Sequence, residues 1–110
     1  MYIYNVTINI EETIHDLWLE WMKIEYIPAM LATGKFSKAL LTRVIIEEEM
    51  GGITYSVQYT TDSKETLKKY QAENEAELRT MNKPFEGKFV SFHTELEIIG
   101  EAHNQLFKKS

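Results

Sequence analysis

The sequence predicts an α+β domain with the element order β-α-β-β-α-β, and three observations support this fold class. Apolar and polar residues alternate with a period of two in four segments, which is typical of strands with one buried face. Two intervening segments carry apolar residues at helical spacing. The pair Gly51–Gly52 separates two of the alternating segments. It favours a tight hairpin turn, because glycine accepts positive φ angles.

The N-terminal segment predicts the first strand and the first helix. Residues Tyr2–Ile10 alternate between apolar and hydrogen-bonding side chains and are expected to form the first strand. Thr13 is expected to cap the helix, with Asp16 in its first turn. The inner face of this helix is expected to comprise Ile14, Leu17, Trp18, Trp21 and Met22. Pro28 should end or kink the helix, because its ring clashes with the preceding turn.

The middle of the chain predicts a β-hairpin. The second strand is expected over residues 36–50 and the third over Ile53–Thr60. With Gly51–Gly52 as a two-residue loop, Val44 pairs with Tyr59, and Arg43 lies opposite Thr60. The remaining pairs of this register are Met50 with Ile53, Glu48 with Tyr55 and Ile46 with Val57. The apolar sets of both strands then share one face.

The C-terminal part predicts a second helix and a fourth strand. Asp62 and Glu65 resemble a capping box that opens the helix. Its inner stripe is expected to comprise Leu67, Tyr70, Asn74, Leu78 and Met81. Residues Lys88–Ile99 alternate again and predict the last strand, with Val90, Phe92 and Leu96 on the helix-covered face. Residues 1–100 are expected to form one domain and residues 101–110 a polar tail.

This element order is that of the split βαβ, or ferredoxin-like, arrangement. It gives a four-stranded antiparallel sheet with two helices on one face. The opposite face is expected to mix apolar and polar residues, and its polar set includes Asn5, Thr7, Arg43, Gln58, His93 and Glu95. Two sheets packed through such faces close an eight-stranded barrel that can hold one small ligand. A homodimer through the sheet faces, forming a dimeric α/β barrel, is therefore expected.

Composition and charge exclude several classes of function. The formal net charge is −5 and no basic stripe is present, so a nucleic-acid partner is not expected. No segment has the roughly 20 apolar residues of a membrane span, and the N-terminus lacks the pattern of a signal peptide. The chain has no cysteine, which is compatible with a reducing compartment. A soluble cytoplasmic protein is the expectation.

Three stretches resemble a known family: YNVTINIEETIHDLWLEWMK, IPAMLATGKF and MGGITYSVQY. They are similar to an uncharacterised bacterial family of short proteins in the dimeric α/β-barrel superfamily. The resemblance runs from Met1 to about Ile99 and implies a ferredoxin-like protomer and a homodimer, but no activity. The wider superfamily includes haem-degrading and quinol-forming monooxygenases, stress-response proteins and ligand-sensing domains. Two positions depart from the family pattern, Tyr26 where His is expected and His93 where Arg is expected.

One group of candidate ligand-binding residues is expected on the barrel interior. Resemblance to the haem-degrading proteins suggests a pocket role for Asn5, with Thr7 beside it on the first strand. The set Arg43, Gln58, His93 and Glu95 is expected to converge there. An Arg–carboxylate pair suits an anionic or carbonyl ligand, and a histidine exchanges protons near neutral pH. The alternative is a salt bridge, a solvated strand face or a polar network of the dimer.

A second group of candidates lies at the exit of the first helix. Trp21, Glu25 and Tyr26 precede the bend expected at Pro28, which could aim them at a pocket mouth. A glutamate beside aromatic rings can have a raised pKa and act as a base. The alternative is that the aromatic residues are ordinary core. The three histidines lack metal-ligand spacing, so no metal site is expected.

The function expected from these patterns is the binding of a small organic ligand inside the barrel, without a cofactor. Two alternatives stay open. One is a cofactor-independent or haem-degrading monooxygenase-like enzyme, for which haem would be the cofactor in the second case. The other is a structural or partner-binding homodimer without a ligand. The sequence does not decide between an enzyme and a binding protein.

Overall fold

The computed structural model of the chain describes residues 1–45 and 51–104. The strands are β1 (Tyr2–Ile10), β2 (Lys38–Arg43), β3 (Ile53–Thr61) and β4 (Phe89–Glu97). The α-helices are α1 (His15–Trp21), α2 (Ile27–Ala32), α3 (Lys64–Glu73) and α4 (Glu75–Arg79). A π-helix (Met22–Tyr26) joins α1 to α2, and 3-10 helices cover Glu12–Ile14 and Thr80–Phe85. The strands form an antiparallel sheet in the order β2-β3-β1-β4, which confirms the predicted α+β, ferredoxin-like fold.

The hydrophobic core lies between the sheet and the helices. From β1 and β3 the core receives Tyr4, Ile8, Ile10, Tyr55, Val57 and Tyr59. The face predicted for β1 and β3 is therefore confirmed. From the helical layer, Trp18 packs on the Tyr55 ring with a centroid separation of 5.2 Å. On the other side, Phe36 lies 4.9 Å from Tyr70 and 5.5 Å from Tyr59 between ring centroids.

The predicted hairpin register is wrong. Arg43 pairs with Tyr55 rather than Thr60, and the Val44 N–H donates to the Thr54 carbonyl. The partner of Arg43 has moved by an odd number of residues, from Thr60 to Tyr55, and such a shift in register turns every side chain of β2 to the other face of the sheet. Arg43 therefore shares the helix-facing side of the sheet with Tyr55. The link between β2 and β3 is longer than two residues, although Gly51 and Gly52 both have positive φ. The pairs predicted for Ile46, Glu48 and Met50 lie outside the described residues.

The face predicted for β4 is also wrong. Val6 pairs with His93 and Ile8 with Ser91, so these polar side chains have helix-side parity. Val90 and Phe92 lie on the open face, where their side chains are 70% and 66% exposed. Alternation shows that two faces of a strand differ, but not which one the helices cover. At the sheet edge, β4 is mostly exposed on both faces, so burial gives little preference for either orientation.

The helix boundaries differ in detail from the predicted ones. Thr13 lies within a 3-10 helix rather than at an N-cap, and Leu17 is exposed on the outer side of α1. At α3 the capping residue is Ser63, whose hydroxyl accepts from the Thr66 N–H over 3.1 Å. Pro28 lies in the first turn of α2, which is the part of a helix that tolerates proline best. The helical path therefore continues past the proline after a π-helical turn.

The chain termini add little to the described fold. Residues 101–104 are exposed and have no regular secondary structure. The predicted division between a domain over 1–100 and a tail over 101–110 stays a prediction. Within the described residues, no helix has the length and apolar character needed to cross a bilayer.

Candidate functional site

A cavity of about 620 Å³ lies between the sheet and the helices. Its floor is formed by β1 and β4, and its walls by the helical segments on either side. The apolar and aromatic lining comprises Tyr4, Val6, Ile8, Trp18, Met22, Tyr26, Met30, Tyr59, Tyr70, Ala76, Phe89 and Phe92. The polar lining comprises Glu75, Arg79, Thr80, Asn82, Lys83, Glu86, Ser91 and His93. The polar groups come from β4, α4 and the 3-10 helix that follows it, so one side of the cavity is apolar and the other polar.

Two local features of the chain open this space. The helix-side residues of β4 include Ser91 and His93, which are largely exposed, so the helices leave this edge of the sheet partly uncovered. On the opposite wall, the π-helix contributes both Met22 and Tyr26 to the lining. Turns of π-helix are rare and occur frequently at functional sites. The cavity therefore follows from an uncovered edge strand and an irregular helix.

Four tyrosines surround the buried part of the cavity, and we call Tyr4, Tyr26, Tyr59 and Tyr70 the tyrosine cluster. The Tyr4 ring lies 5.7 Å from that of Tyr70 and 6.4 Å from that of Tyr59 between centroids. Burial is the largest cause that raises the pKa of all four phenols. Neighbouring phenols raise the pKa of Tyr4, Tyr59 and Tyr70 further, whereas the Glu75 carboxylate raises that of Tyr26. The phenols therefore stay neutral and keep their O–H donors near neutral pH.

The Glu75 carboxylate lies at the polar side of the tyrosine cluster. The Tyr4 hydroxyl donates to Glu75 Oε2 over 3.0 Å, and Arg79 Nη2 donates to Glu75 Oε1 over 3.1 Å. Burial first, and the Glu75 carboxylate second, raise the pKa of Tyr4. Sequence reasoning missed both Glu75 and Arg79, although their i, i+4 spacing on a helix is a recognisable signal for a charged pair.

His93 brings an imidazole to the same side. Its ring centroid lies 5.1 Å from that of Tyr4, and its side chain lines the cavity. Glu95, the next residue of β4 with this parity, accepts a hydrogen bond from Gln71 Nε2 over 3.2 Å and does not line the cavity. Of the nine residues predicted for the site, the structure thus brings Tyr26 and His93 to one cavity.

Three of the other predicted residues lie on the open face of the sheet. Ser56 Oγ donates to Asn5 Oδ1 over 2.6 Å, and Asn5 Nδ2 donates to Thr7 Oγ1 over 3.4 Å. Gln58 pairs with Asn5 in the sheet and shares its face. The expected convergence of Gln58 with His93 on one face is therefore wrong, because β4 has the opposite orientation from the predicted one.

The remaining three predicted residues lie beside or away from the cavity. Trp21 packs between Tyr26 and Phe85, with ring centroids 5.0 and 4.9 Å away, and supports the Tyr26 wall from behind. Glu25 is exposed on the π-helix. Arg43 ends β2, at the sheet edge opposite β4, so an ion pair between Arg43 and Glu95 within one chain is excluded by the strand order.

The cavity does not provide a metal or haem site of the usual kind. No cluster of three or more potential metal ligands occurs in residues 1–45 and 51–104. Metal-bound histidines generally donate their second ring N–H to an acceptor, and within the same ranges the imidazole of His93 makes no hydrogen bond. The charged lining is balanced between two acids and two bases, which does not favour the two carboxylates of haem. The residues present therefore do not fit haem, and we derive no step through it.

The family model of a domain of unknown function, DUF4286, matches residues 1–99. The chain belongs to the DUF4286 family. This result confirms the resemblance to an uncharacterised family over nearly the whole chain. No curated protein matches this DUF4286 chain in sequence.

Solved structures share the fold of this DUF4286 domain at low sequence identity. A dimeric ferredoxin-like protein from an uncultured marine organism has a TM-score of 0.69 and 16% identity, over 94% of this chain and 100% of that chain. A proposed antibiotic biosynthesis monooxygenase from Bacillus cereus has a TM-score of 0.66 and 13% identity, over 94% and 97%. An ethyl tert-butyl ether d (EthD) family protein from Bacillus halodurans has a TM-score of 0.66 and 15% identity, over 90% and 100%. These similarities establish the fold only.

Proposed function

We propose that this DUF4286 domain binds a small organic molecule in the cavity between its sheet and its helices. The observation that carries the proposal is the cavity itself. Its volume of about 620 Å³ lies within the range of small-molecule sites, which are mostly apolar with a few placed polar groups. The sequence-based hypothesis put the ligand inside the barrel of a dimer, whereas the proposal puts one ligand inside each protomer.

The lining indicates a ligand with an apolar body and no net charge. Trp18, Met22 and Met30 are buried core residues that form part of the wall, and burying a charge against such groups is costly. Glu75 and Arg79 already pair with each other, so neither offers an unpaired charge to a ligand. The other two charged residues of the lining, Lys83 and Glu86, are exposed at the surface. Aromatic rings along the cavity favour a flat molecule that packs against them.

A cavity-filling substitution tests this proposal. Ala76 lines the cavity, so Ala76→Trp should occupy part of the ligand volume. Ala72→Trp is the matched control, since Ala72 is exposed on α3 and does not line the cavity. Native mass spectrometry of protein purified from its own host should show a bound molecule in the wild type and in Ala72→Trp, but not in Ala76→Trp. Equal occupancy in both variants, or none in the wild type, would contradict the proposal.

A cofactor-independent enzyme of the monooxygenase type is the second candidate, and the polar side of the cavity favours it. Tyr4 contacts both Glu75 and His93, which places groups that donate and accept protons next to a bound molecule. In such an oxygenation, an activated CH₂ group of the ligand becomes a carbonyl, and its two hydrogens leave with the second oxygen atom of O₂ as water. Oxygen uptake with anthrone, which has such a CH₂ group, tests this. Uptake that is unchanged in His93→Ala would exclude a role for His93.

We further propose that two copies associate through the open sheet faces. The open face of β4 carries Val90, Phe92 and Leu96, and Leu40 adds a further exposed apolar residue on β2. The three residues of β4 form a row of exposed apolar side chains, which is typical of an interface, whereas Leu40 lies at the opposite edge of the sheet. Structural relatives described as dimeric ferredoxin-like proteins support the same assembly. A structural homodimer without a ligand is the outcome if the cavity proves empty in the test above.

Location in the cytoplasm and the lack of nucleic-acid and membrane partners stay predictions from the sequence. The acidic composition, with 17 acidic against 12 basic side chains, supports the expected lack of a nucleic-acid partner. An acidic protein repels the phosphate backbone, because nucleic-acid affinity depends on neutralising phosphates with Lys and Arg.

A further inference from the structure

Tyr59 combines deep burial with an unused hydrogen-bonding group. It lies on the central strand β3, is 1% exposed and lines the cavity. Within the described residues, its hydroxyl makes no hydrogen bond to protein. No fully buried side-chain nitrogen or oxygen in that part of the chain lacks a partner, so the Tyr59 oxygen is not sealed in the core. We conclude that the hydroxyl opens into the cavity that its ring lines.

The other three members of the tyrosine cluster have protein partners. Tyr4 donates to Glu75, and the Tyr70 hydroxyl donates to Met30 Sδ over 3.3 Å. Asn82 lowers the pKa of Tyr26 through a side-chain hydrogen bond, so the amide of Asn82 donates to the Tyr26 oxygen. Among the described residues, Tyr59 is the member of the cluster that has no side-chain hydrogen bond.

The chemistry of this position favours a donor role. Burial raises the pKa of Tyr59, and the neighbouring phenols of Tyr26, Tyr70 and Tyr4 raise it further. The hydroxyl therefore keeps its proton near neutral pH and can donate it. A ketone carbonyl accepts this proton and brings no proton of its own that would need an acceptor at the buried end.

We infer that the buried end of the ligand carries a neutral oxygen acceptor, a ketone carbonyl, which accepts a hydrogen bond from Tyr59. This inference rests on the proposed binding function and names the ligand class for that site. A carboxylate is disfavoured at the buried end, because Arg79 is already paired with Glu75 and Lys83, the other base of the lining, is exposed at the surface. The apolar remainder of the ligand packs along Trp18 and the methionines.

Two probes that differ in a single group test the inference. 2-Acetylnaphthalene and 2-ethylnaphthalene share a flat apolar body, and only the first has a carbonyl. Calorimetric titration of the wild type should show severalfold to about tenfold tighter binding of the ketone, as expected for one neutral hydrogen bond. In Tyr59→Phe the affinities of the two probes should become equal, with binding of the hydrocarbon unchanged. Tyr55→Phe is the matched control and should keep the preference for the ketone, because Tyr55 is buried on the same strand and does not line the cavity.

A second measurement applies to the wild type alone, in case Tyr59→Phe does not fold. The infrared carbonyl stretch of bound 2-acetylnaphthalene should lie at lower frequency than in an apolar solvent, because hydrogen bonding weakens the C=O bond. Equal affinities in the wild type, a preference that persists in Tyr59→Phe, or an unshifted stretch would overturn the inference and leave the cavity function standing. Binding of neither probe to the wild type would overturn both.

Discussion

The Tyr4 hydroxyl donates to Glu75 Oε2 over 3.0 Å and so joins the central strand β1 to helix α4 at the polar side of the cavity. The two residues are 71 positions apart in the chain. Because Arg79 holds the other oxygen of the same carboxylate, the wall of the cavity is tied to its floor. This contact connects the stability of the fold to the shape of the site.

Removal of the Tyr4 hydroxyl should lower the free energy of unfolding. Tyr4→Phe keeps the ring and its packing, but loses the hydrogen bond to a charged acceptor, so we expect a loss of about 1.5–3 kcal/mol in the free energy of unfolding. Tyr2→Phe is the control, since the exposed Tyr2 hydroxyl makes a similar bond to Glu97 over 2.7 Å and should matter little. Urea denaturation measures both variants. Equal losses would show that the buried position of the Tyr4–Glu75 bond is not important.

High pH should destabilise the domain through the tyrosine cluster. Burial raises the pKa of Tyr4, Tyr59 and Tyr70 above the ordinary value of 10.0, so the folded state holds these protons more tightly than the unfolded chain. Stability is therefore complete below pH 10 and falls as the pH rises above it, because the unfolded state loses protons first. Denaturation midpoints between pH 8 and pH 11 measure this loss, which should be smaller in Tyr59→Phe. Ionisation of all six tyrosines near pH 10 in the folded protein would contradict it.

Two glycines allow the cost of backbone strain to be measured separately from the cost of a steric clash. Gly52 and Gly34 both have positive φ, at 75° and 76°. A Cβ atom at Gly52 would clash with the Asn9 side chain and lie 2.9 Å from the Ile10 carbonyl oxygen, whereas at Gly34 it meets nothing within 4 Å. We expect Gly34→Ala to cost about 1 kcal/mol and Gly52→Ala about 1–3 kcal/mol more.

Thermal unfolding with both alanine variants measures the difference. Similar melting temperatures for Gly34→Ala and Gly52→Ala would mean that the chain around Asn9 moves aside at no cost. That result would contradict the close approach of the β2–β3 connection to the end of β1.

A charge on the open sheet face should prevent dimer formation. Val90 and Leu17 are 70% and 66% exposed, but Val90 lies on the proposed interface and Leu17 on the outer side of α1. In sedimentation velocity at micromolar concentration, Val90→Glu should yield monomers, because an unpaired carboxylate at an interface is costly. Leu17→Glu should sediment as the wild-type dimer. A monomeric wild type, or equal sedimentation of both variants, would refute the proposed interface.

Much of the fold could be predicted from sequence, because it depends on local patterns. Alternation along β1 and β3 identified both the strands and their buried face, since both are central strands that the helices cover. The candidate site was harder to predict from the sequence. Tyr26 and His93 were among the predicted residues and line the cavity, whereas Tyr59 was assigned to the core and Glu75 was not singled out. No local pattern distinguishes a core tyrosine from one whose hydroxyl reaches a cavity.

The sequence by itself determined the order and type of the elements and the ferredoxin-like topology, because hydrophobic periodicity and turn residues act over a few positions. The tertiary structure decided the register of β2, the orientation of β4 and the location of the cavity. Each of these depends on which surfaces meet. Arg43 and His93 have helix-side parity only because β2 and β4 pair as they do with their neighbours, and a shift by one residue would reverse either face.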